Sequence, residues 1–367
     1  MPTTQLQPQQ ACLPVLNVWR GPVVECVHFG AIAVVDSDGK LRYHYGDPRL
    51  VTYLRSTAKP FQALPFVEAG GVEKFKLTEK ELAILCASHD GTDEHVATLQ
   101  GIQKKVGILE SELLCGTHPP FSKPTQKQLT LAGEESTQNR HNCSGKHTGM
   151  LSFATLLGAD KKTYLEVNHP VQRAILKTFS EMVDVPLEEI PMGIDGCSAP
   201  VFAAPLLNSA LGFARLADPR NLSEKRGEAC QKITRAMMAH PEMIAGPGDF
   251  DTTLMQVGAG KIFAKSGAEG FLGIGLLSGA AGADSQALGI AIKIMDGDIG
   301  STFRPEAKTN EGRARPIVAL EVLRQLGALD ADQLKEMASF DARPQYNWRH
   351  LEVGRFEAAF TLSKDRD

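Results

Sequence analysis

The sequence has no long run of like charge, no apolar stretch that could span a bilayer, and no paired cysteine framework. Each absence removes a class of function. The formal net charge is −4 and is spread along the chain, so the clustered Lys/Arg footprint of a nucleic-acid binder is missing. The longest apolar stretches, such as Phe271 to Leu277 and Ala287 to Ile292, fall far short of a membrane span. Met1 to Gln10 are polar and lack the basic start and apolar core of a secretory leader, so a cytoplasmic location is expected. The seven cysteines, Cys12, Cys26, Cys86, Cys115, Cys143, Cys197 and Cys230, are odd in number and scattered. That distribution suits reduced thiols and not a disulfide scaffold.

What is present is ordinary globular material. The chain has 367 residues, of which 43% are hydrophobic and 22% charged. That is ample for one large or two closely packed domains. Residues 1–12 read as a loose polar tail. Val23 to Val35 and Leu41 to Tyr45 read as strands joined by the turn Asp36-Ser37-Asp38-Gly39, with Leu50 to Leu54 a third. A helix is predicted from Ser56 to about Glu68, kinked at Pro65, and Thr78 and Thr92 have the form of helix caps. Apolar spacing predicts helices over Lys146 to Leu157, Pro170 to Val183, Leu206 to Leu216 and Asn221 to His240. After Gly258-Ala259-Gly260 the pattern returns to strand at 261–265, 270–277 and 287–295, then a helix near 317–326 and a last strand near 357–362. Strands, then helices, then strands predict an α+β fold layered α/β/α. Its sheet lobe would come from both chain ends, 13–55 and 258–367, with a mainly helical lobe, 56–257, inserted.

Three short patterns recur in a fixed order: Arg55-Ser56-Thr57-Ala58-Lys59-Pro60, Ala87-Ser88-His89-Asp90 and Lys265-Ser266-Gly267. A serine three residues before a lysine on a helix places hydroxyl and amine on one face. There a neutral lysine can take the hydroxyl proton and make the serine a nucleophile. Ser37-Asp38-Gly39-Lys40 has the same spacing but sits in the hairpin turn, so the ordered triple carries more than any one match. An exposed N-cap serine with a solvated lysine is the ordinary reading of Ser56 and Lys59. The apolar run Pro60-Phe61-Gln62-Ala63-Leu64 instead predicts a buried helix, whose burial would lower a lysine's pKa. Arg55 offers a bidentate grip on a substrate carboxylate. Ser88 follows an apolar helix, and Lys265 ends a strand across from it, so a second Ser-Lys pair is predicted there.

Asn142-Cys143-Ser144-Gly145-Lys146-His147 and Asp195-Gly196-Cys197-Ser198 are the other dense clusters. Two accounts stand side by side: reduced cysteines packed at turns, or a thiolate metal site. His89 and His95, six apart, fall on different faces of a helix and make a poor metal pair.

The ordered triple is the set found in penicillin-recognising enzymes. Arg55-Ser56-Thr57-Ala58-Lys59-Pro60 and Cys86-Ala87-Ser88-His89, with Cys115-Gly116-Thr117-His118-Pro119, the Asn142–His147 string, Asp195-Gly196-Cys197 and His240-Pro241-Glu242-Met243, resemble the L-asparaginase II family, the rhizobial-type Ser-Lys class; of the Lys-Ser-Gly strand motif, whose middle position is expected to vary in that family, Lys265 is the part that counts. The likeness runs from about residue 20 onward. It implies a fold like serine β-lactamases and glutaminases, a homodimer, and hydrolysis of L-asparagine to L-aspartate and ammonia. It implies two tandems, Ser56 with Lys59 and Ser88 with Lys265, and substrate contacts from Arg55, Asp195 and Lys146. It also implies an accessory zinc held by Cys143, Lys146 and Cys197, unnecessary to the chemistry itself. Two alternatives remain: another acyl-serine hydrolase of β-lactamase or peptidase type, and a non-catalytic zinc- or amino-acid-binding protein.

Overall fold

The computed structural model describes residues 8–298 and 312–365. Strands β1 (Leu13–Arg20), β2 (Val23–Asp36), β3 (Leu41–Tyr45) and β4 (Val51–Tyr53) come first. Then β5 (Met192–Ile194) and β6 (Pro200–Pro205) interrupt a long helical region. Strands β7 (Ile262–Ser266), β8 (Phe271–Leu276), β9 (Leu288–Ile294), β10 (Pro344–Tyr346), β11 (Glu352–Ala358) and β12 (Ser363–Lys364) follow.

The main sheet runs β10-β11-β1-β2-β9-β8-β7, with β3 also on β2 and β12 on β3, and every pairing is antiparallel. Its hub is the 14-residue β2. Val23 to Gly30 pair with β1, Ile32 to Val35 pair with β3 on that same edge, and Gly30 to Asp36 pair with β9 on the other. Strand alternation splits the side chains between two cores. Ala31, Ala33 and Val35 face one that includes Phe61, Phe179 and Phe213. Ile32 and Val34 face the other, with Ile290, Ile292, Ile317 and Leu320. The Leu206–Ala217 helix covers the first face and the Ala314–Gln325 helix the second. The molecule is an α/β/α layered α+β protein, as the order of elements predicted.

Differences from the sequence reading have local causes. The helix expected from Ser56 is divided into a 3-10 turn, Arg55–Ala58, and an α-helix, Lys59–Glu68, with Pro60 in its first turn and Pro65 inside. The helix expected from Asn221 begins at Glu224, because Ser223 Oγ caps it by accepting the Arg226 N–H. The helix expected from Ile317 begins earlier, at Ala314, because the Asp298 carboxylate accepts the N–H groups of Ala314 and Arg315. The last long strand lies at Glu352–Ala358, where it pairs with residues 16–20 of β1. A small sheet, β4-β6-β5, sits within the helical part. Among the described residues no helix is long and apolar enough to cross a membrane.

Candidate active site

The Lys59–Glu68 helix is buried from Lys59 through Val67, so its first side chain is drawn inside the protein. A buried ammonium is costly unless its protons are accepted. Lys59 Nζ donates to Ala87 O at 2.5 Å, Ser88 Oγ at 2.8 Å and Asn142 O at 3.4 Å. Three acceptors thus surround the amine. Ser88 lies just past the Glu79–Leu85 helix, and its own N–H is held by Ile244 O at 2.8 Å.

Lys265 reaches the same region from the end of β7. It is 1% exposed, and among the described residues its Nζ finds one acceptor, Ser266 O at 2.7 Å. Burial pushes its pKa down to about 7; the Asp251 carboxylate opposes that, while the charges of Lys59 and Arg315 assist it. The strand end is fixed from several sides. Thr57 Oγ1 donates to Lys265 O at 3.1 Å. Asp251, on the Phe250–Val257 helix, accepts Ser266 N–H and Ser266 Oγ–H, each at 2.6 Å. Arg315 Nη1 donates to Gly267 O at 2.7 Å. A Cβ on Gly267 would lie 2.6 Å from Thr57 Oγ1 and 2.7 Å from Leu54 O, so only glycine lets the two segments approach so closely.

The four predicted Ser-Lys residues therefore lie on adjoining segments, but neither expected pair is in hydrogen-bond contact. Lys59 bonds Ser88, not Ser56, because the carbonyls of Ala87 and Asn142 draw its ammonium inward. Ser56 Oγ has no hydrogen-bond partner among the described residues. Lys265 bonds its own strand, not Ser88.

Arg55 stands at the edge of the site with φ +52°, a left-handed conformation rare for a non-glycine residue. Its Nε and Nη2 both reach Asp195 Oδ1 at 2.8 Å, and Gly196 N–H donates to the same oxygen. Asp195 Oδ2 takes no hydrogen bond from the described residues. Glu269, also left-handed at φ +58°, approaches Arg55 Nη1 at 3.8 Å. Such strain gathers where surrounding structure over-determines a functional geometry.

Cys143, Lys146 and Cys197 converge, all buried. Lys146 Nζ donates to Cys197 Sγ at 2.8 Å. The hydrogen bond between the two cysteine side chains holds the Cys143 thiol well below its usual range, and Lys59 and Lys146 add to this against desolvation. Desolvation alone would lower Lys146, yet the two sulfurs beside it hold it raised. Two sulfurs and an amine in contact form a donor set that suits zinc once deprotonated, so the residues fit the expected ion. Among the described residues no three His, Cys, Asp or Glu side chains gather to hold a metal.

The helical argument against a His89–His95 pair does not apply, because His89 lies in the loop before the Asp93–Val106 helix and the rings are 4.9 Å apart. Their nitrogens are nonetheless engaged: His89 with Ser144 Oγ and Gly91 N–H, His95 with Thr92 and Glu242 O. Asp251 and Arg315 went unnoticed in the sequence because neither belongs to a motif.

The profile of the L-asparaginase II family matches residues 16–358. No curated protein matches. Among solved structures the chain is similar to a probable glutaminase from Bacillus subtilis complexed with 6-diazo-5-oxo-L-norleucine, with 12% identity, TM-score 0.37, and 82% of this chain and 85% of that one covered. It is also similar to a Bacillus glutaminase in 4.3 M NaCl, with 12% identity, TM-score 0.35, and coverage of 81% and 90%. The chain, matched over nearly its whole length, belongs to the L-asparaginase II family of amidohydrolases.

Proposed function

We propose that this amidohydrolase converts L-asparagine and water to L-aspartate and ammonia through an acyl-serine intermediate. The observation that carries the mechanism is the contrast between two buried lysines: Lys59 with three acceptors and Lys265 with one. The first is placed to pass a proton to Ser88, and the second, whose pKa burial lowers to about 7, can act as a neutral base.

In this scheme Arg55 meets the α-carboxylate of the substrate and Asp195 Oδ2 its α-ammonium. Ser56 Oγ, left without a partner, attacks the side-chain amide carbon and its proton goes to Lys265. As the C–N bond breaks, ammonia leaves with the Ser88 proton, which Lys59 replaces. Water then opens the ester, giving a proton to Lys59, while Lys265 returns one to Ser56. Both lysines end as they began.

Cys143, Lys146 and Cys197 would hold zinc, which when bound supplies a fixed positive charge beside Asp195. No proton transfer above passes through the metal, so turnover should persist after chelation. The same reading includes the homodimer, to be measured by sedimentation.

Ammonia release by the purified chain from L-asparagine, L-glutamine and a blank is the direct test, with nitrocefin as a β-lactam control. Ser56→Ala should lose on the order of a thousandfold or more in kcat, and an aspartyl ester should be found by mass on the Ser56 peptide of wild type. Near-wild-type turnover in Ser56→Ala would remove Ser56 as nucleophile. Nitrocefin cleavage without amide hydrolysis would favour the β-lactamase reading, and no turnover of any of these would favour a binding protein.

A further inference from the structure

We propose that Asp251 and Arg315 are positioning residues that hold the Lys265–Gly267 strand end from two different helices and act on Lys265 with opposite charge. The inference rests on the role given to Lys265 above, but its physical content can be tested without turnover.

The grip is specific in its geometry. Asp251 is 2% exposed and spends both carboxylate oxygens on one residue, Ser266: one on the backbone N–H and one on the hydroxyl. Ser266 Oγ–H is therefore committed to Asp251, which fixes the middle residue of the Lys-Ser-Gly pattern. Arg315, in the first turn of the Ala314–Gln325 helix, donates to Gly267 O on the same strand end. Its guanidinium brings a positive charge to the strand end. The strand end that carries Lys265 is thus held by an anion delivered by one helix and a cation delivered by another. Neither touches its amine, whose hydrogen bond goes to Ser266 O.

Other charged or titratable groups face Lys265 from the remaining elements. Lys59 comes from the Lys59–Glu68 helix, Cys143 from the turn before the Ser144–Leu157 helix, and Cys86 from the end of the Glu79–Leu85 helix. Lys59 acts in the direction of Arg315 and Cys143 in that of Asp251. The two positioning residues differ from these in holding the strand backbone as well as contributing charge. An anion nearby favours the ammonium, and a cation favours the amine. Removing Asp251's charge should make Lys265 lose its proton at lower pH, and removing Arg315's charge should make it hold the proton to higher pH.

The experiment follows the Lys265 ε-CH2 resonance by NMR in lysine-labelled full-length protein, assigned by its loss in Lys265→Arg. Asp251→Asn should move the titration midpoint down by about one pH unit, and Arg315→Gln should move it up by a similar amount. Arg315→Lys and Asp251→Glu, which keep the charges, should return it toward wild type. The rising limb of kcat/KM against pH should follow each midpoint. Damage of a merely structural kind would lower the amplitude without moving the limb in opposite directions. If Asp251→Asn does not fold, Arg315→Gln alone decides, since it must raise the midpoint. Midpoints that stay fixed, or that move the same way in both charge-removing variants, would overturn the proposal. Opposite shifts in a protein that hydrolyses no amide would uphold the charge setting and refute the amidase reading instead.

Discussion

Asp90 shows how much one buried residue can cost. It lies two positions after Ser88, is 5% exposed, and shares a hydrogen bond with the Asp249 side chain. Burial pushes its pKa up to about 6, against the opposing effect of Asp249. An ordinary aspartate loses its proton near ~3.9, so between about 4 and 6 the folded protein holds a proton that the unfolded chain has released. Stability therefore falls as pH rises through that window, and the full cost stands above about 6. Asp90→Asn keeps the shape and removes the charge. It should raise Tm at pH 8 by the equivalent of about 2 kcal/mol, with the gain vanishing near pH 4. Thermal unfolding at the two pH values checks this, and an equal loss at both would sink it. The same scale explains what the sequence could reveal of the site. Ser56, Lys59, Ser88 and Lys265 were recognisable because their spacings are short-range patterns. Their partners were not, because the acceptors that decide where Lys59 points lie 28 and 83 residues away. Asp251 and Arg315 reach the site only through folding, and nothing in their neighbours marks them.

Elements read well where they carry their own signals. The caps at Thr78 and Thr92 form as expected, each side chain accepting the N–H three residues on. The Pro170–Val183 helix is bounded as its apolar period predicts. Strands β1 and β11 are half exposed, and their identity depends on each other: Trp19 Nε1 donates to Glu357 Oε2, and Arg355 lies over the Trp19 ring at 4.5 Å. Partners 338 residues apart leave no local trace. The contact between the Leu206–Ala217 helix and β9 gives the clearest test at this scale. A Cβ on Gly289 would sit 1.9 Å from Ala210 O and 2.3 Å from Ala214 N, so the helix could keep its place only by lifting off the sheet. Gly289→Ala should destabilise by about 2–3 kcal/mol, measured by urea unfolding. A change below about 0.5 kcal/mol would mean that the helix does not rest on this strand as described.

Across the whole molecule, β2 joins strands from both ends of the chain: β1 and β3 on one edge and β9 on the other. Beyond β1, the edge is completed by β11 and β10. A chain ending at Leu351 keeps both cores' helices but leaves residues 16–20 without their partners on β11. It should lose cooperative unfolding or drop markedly in Tm, and an unchanged transition would show the outer strands to be dispensable. The arrangement also bears on how the protein is made. A ribosome releases residues 13–20 more than 300 residues before 352–358, yet these two stretches lie side by side. For most of translation the nascent sheet must therefore present an unpaired β1 edge, the kind of surface that invites wrong pairing. The helical segments emerge during that wait. Nascent chains stalled before Glu352 should be captured by holdase chaperones and cut readily by protease, and those stalled well beyond Ala358 should resist both.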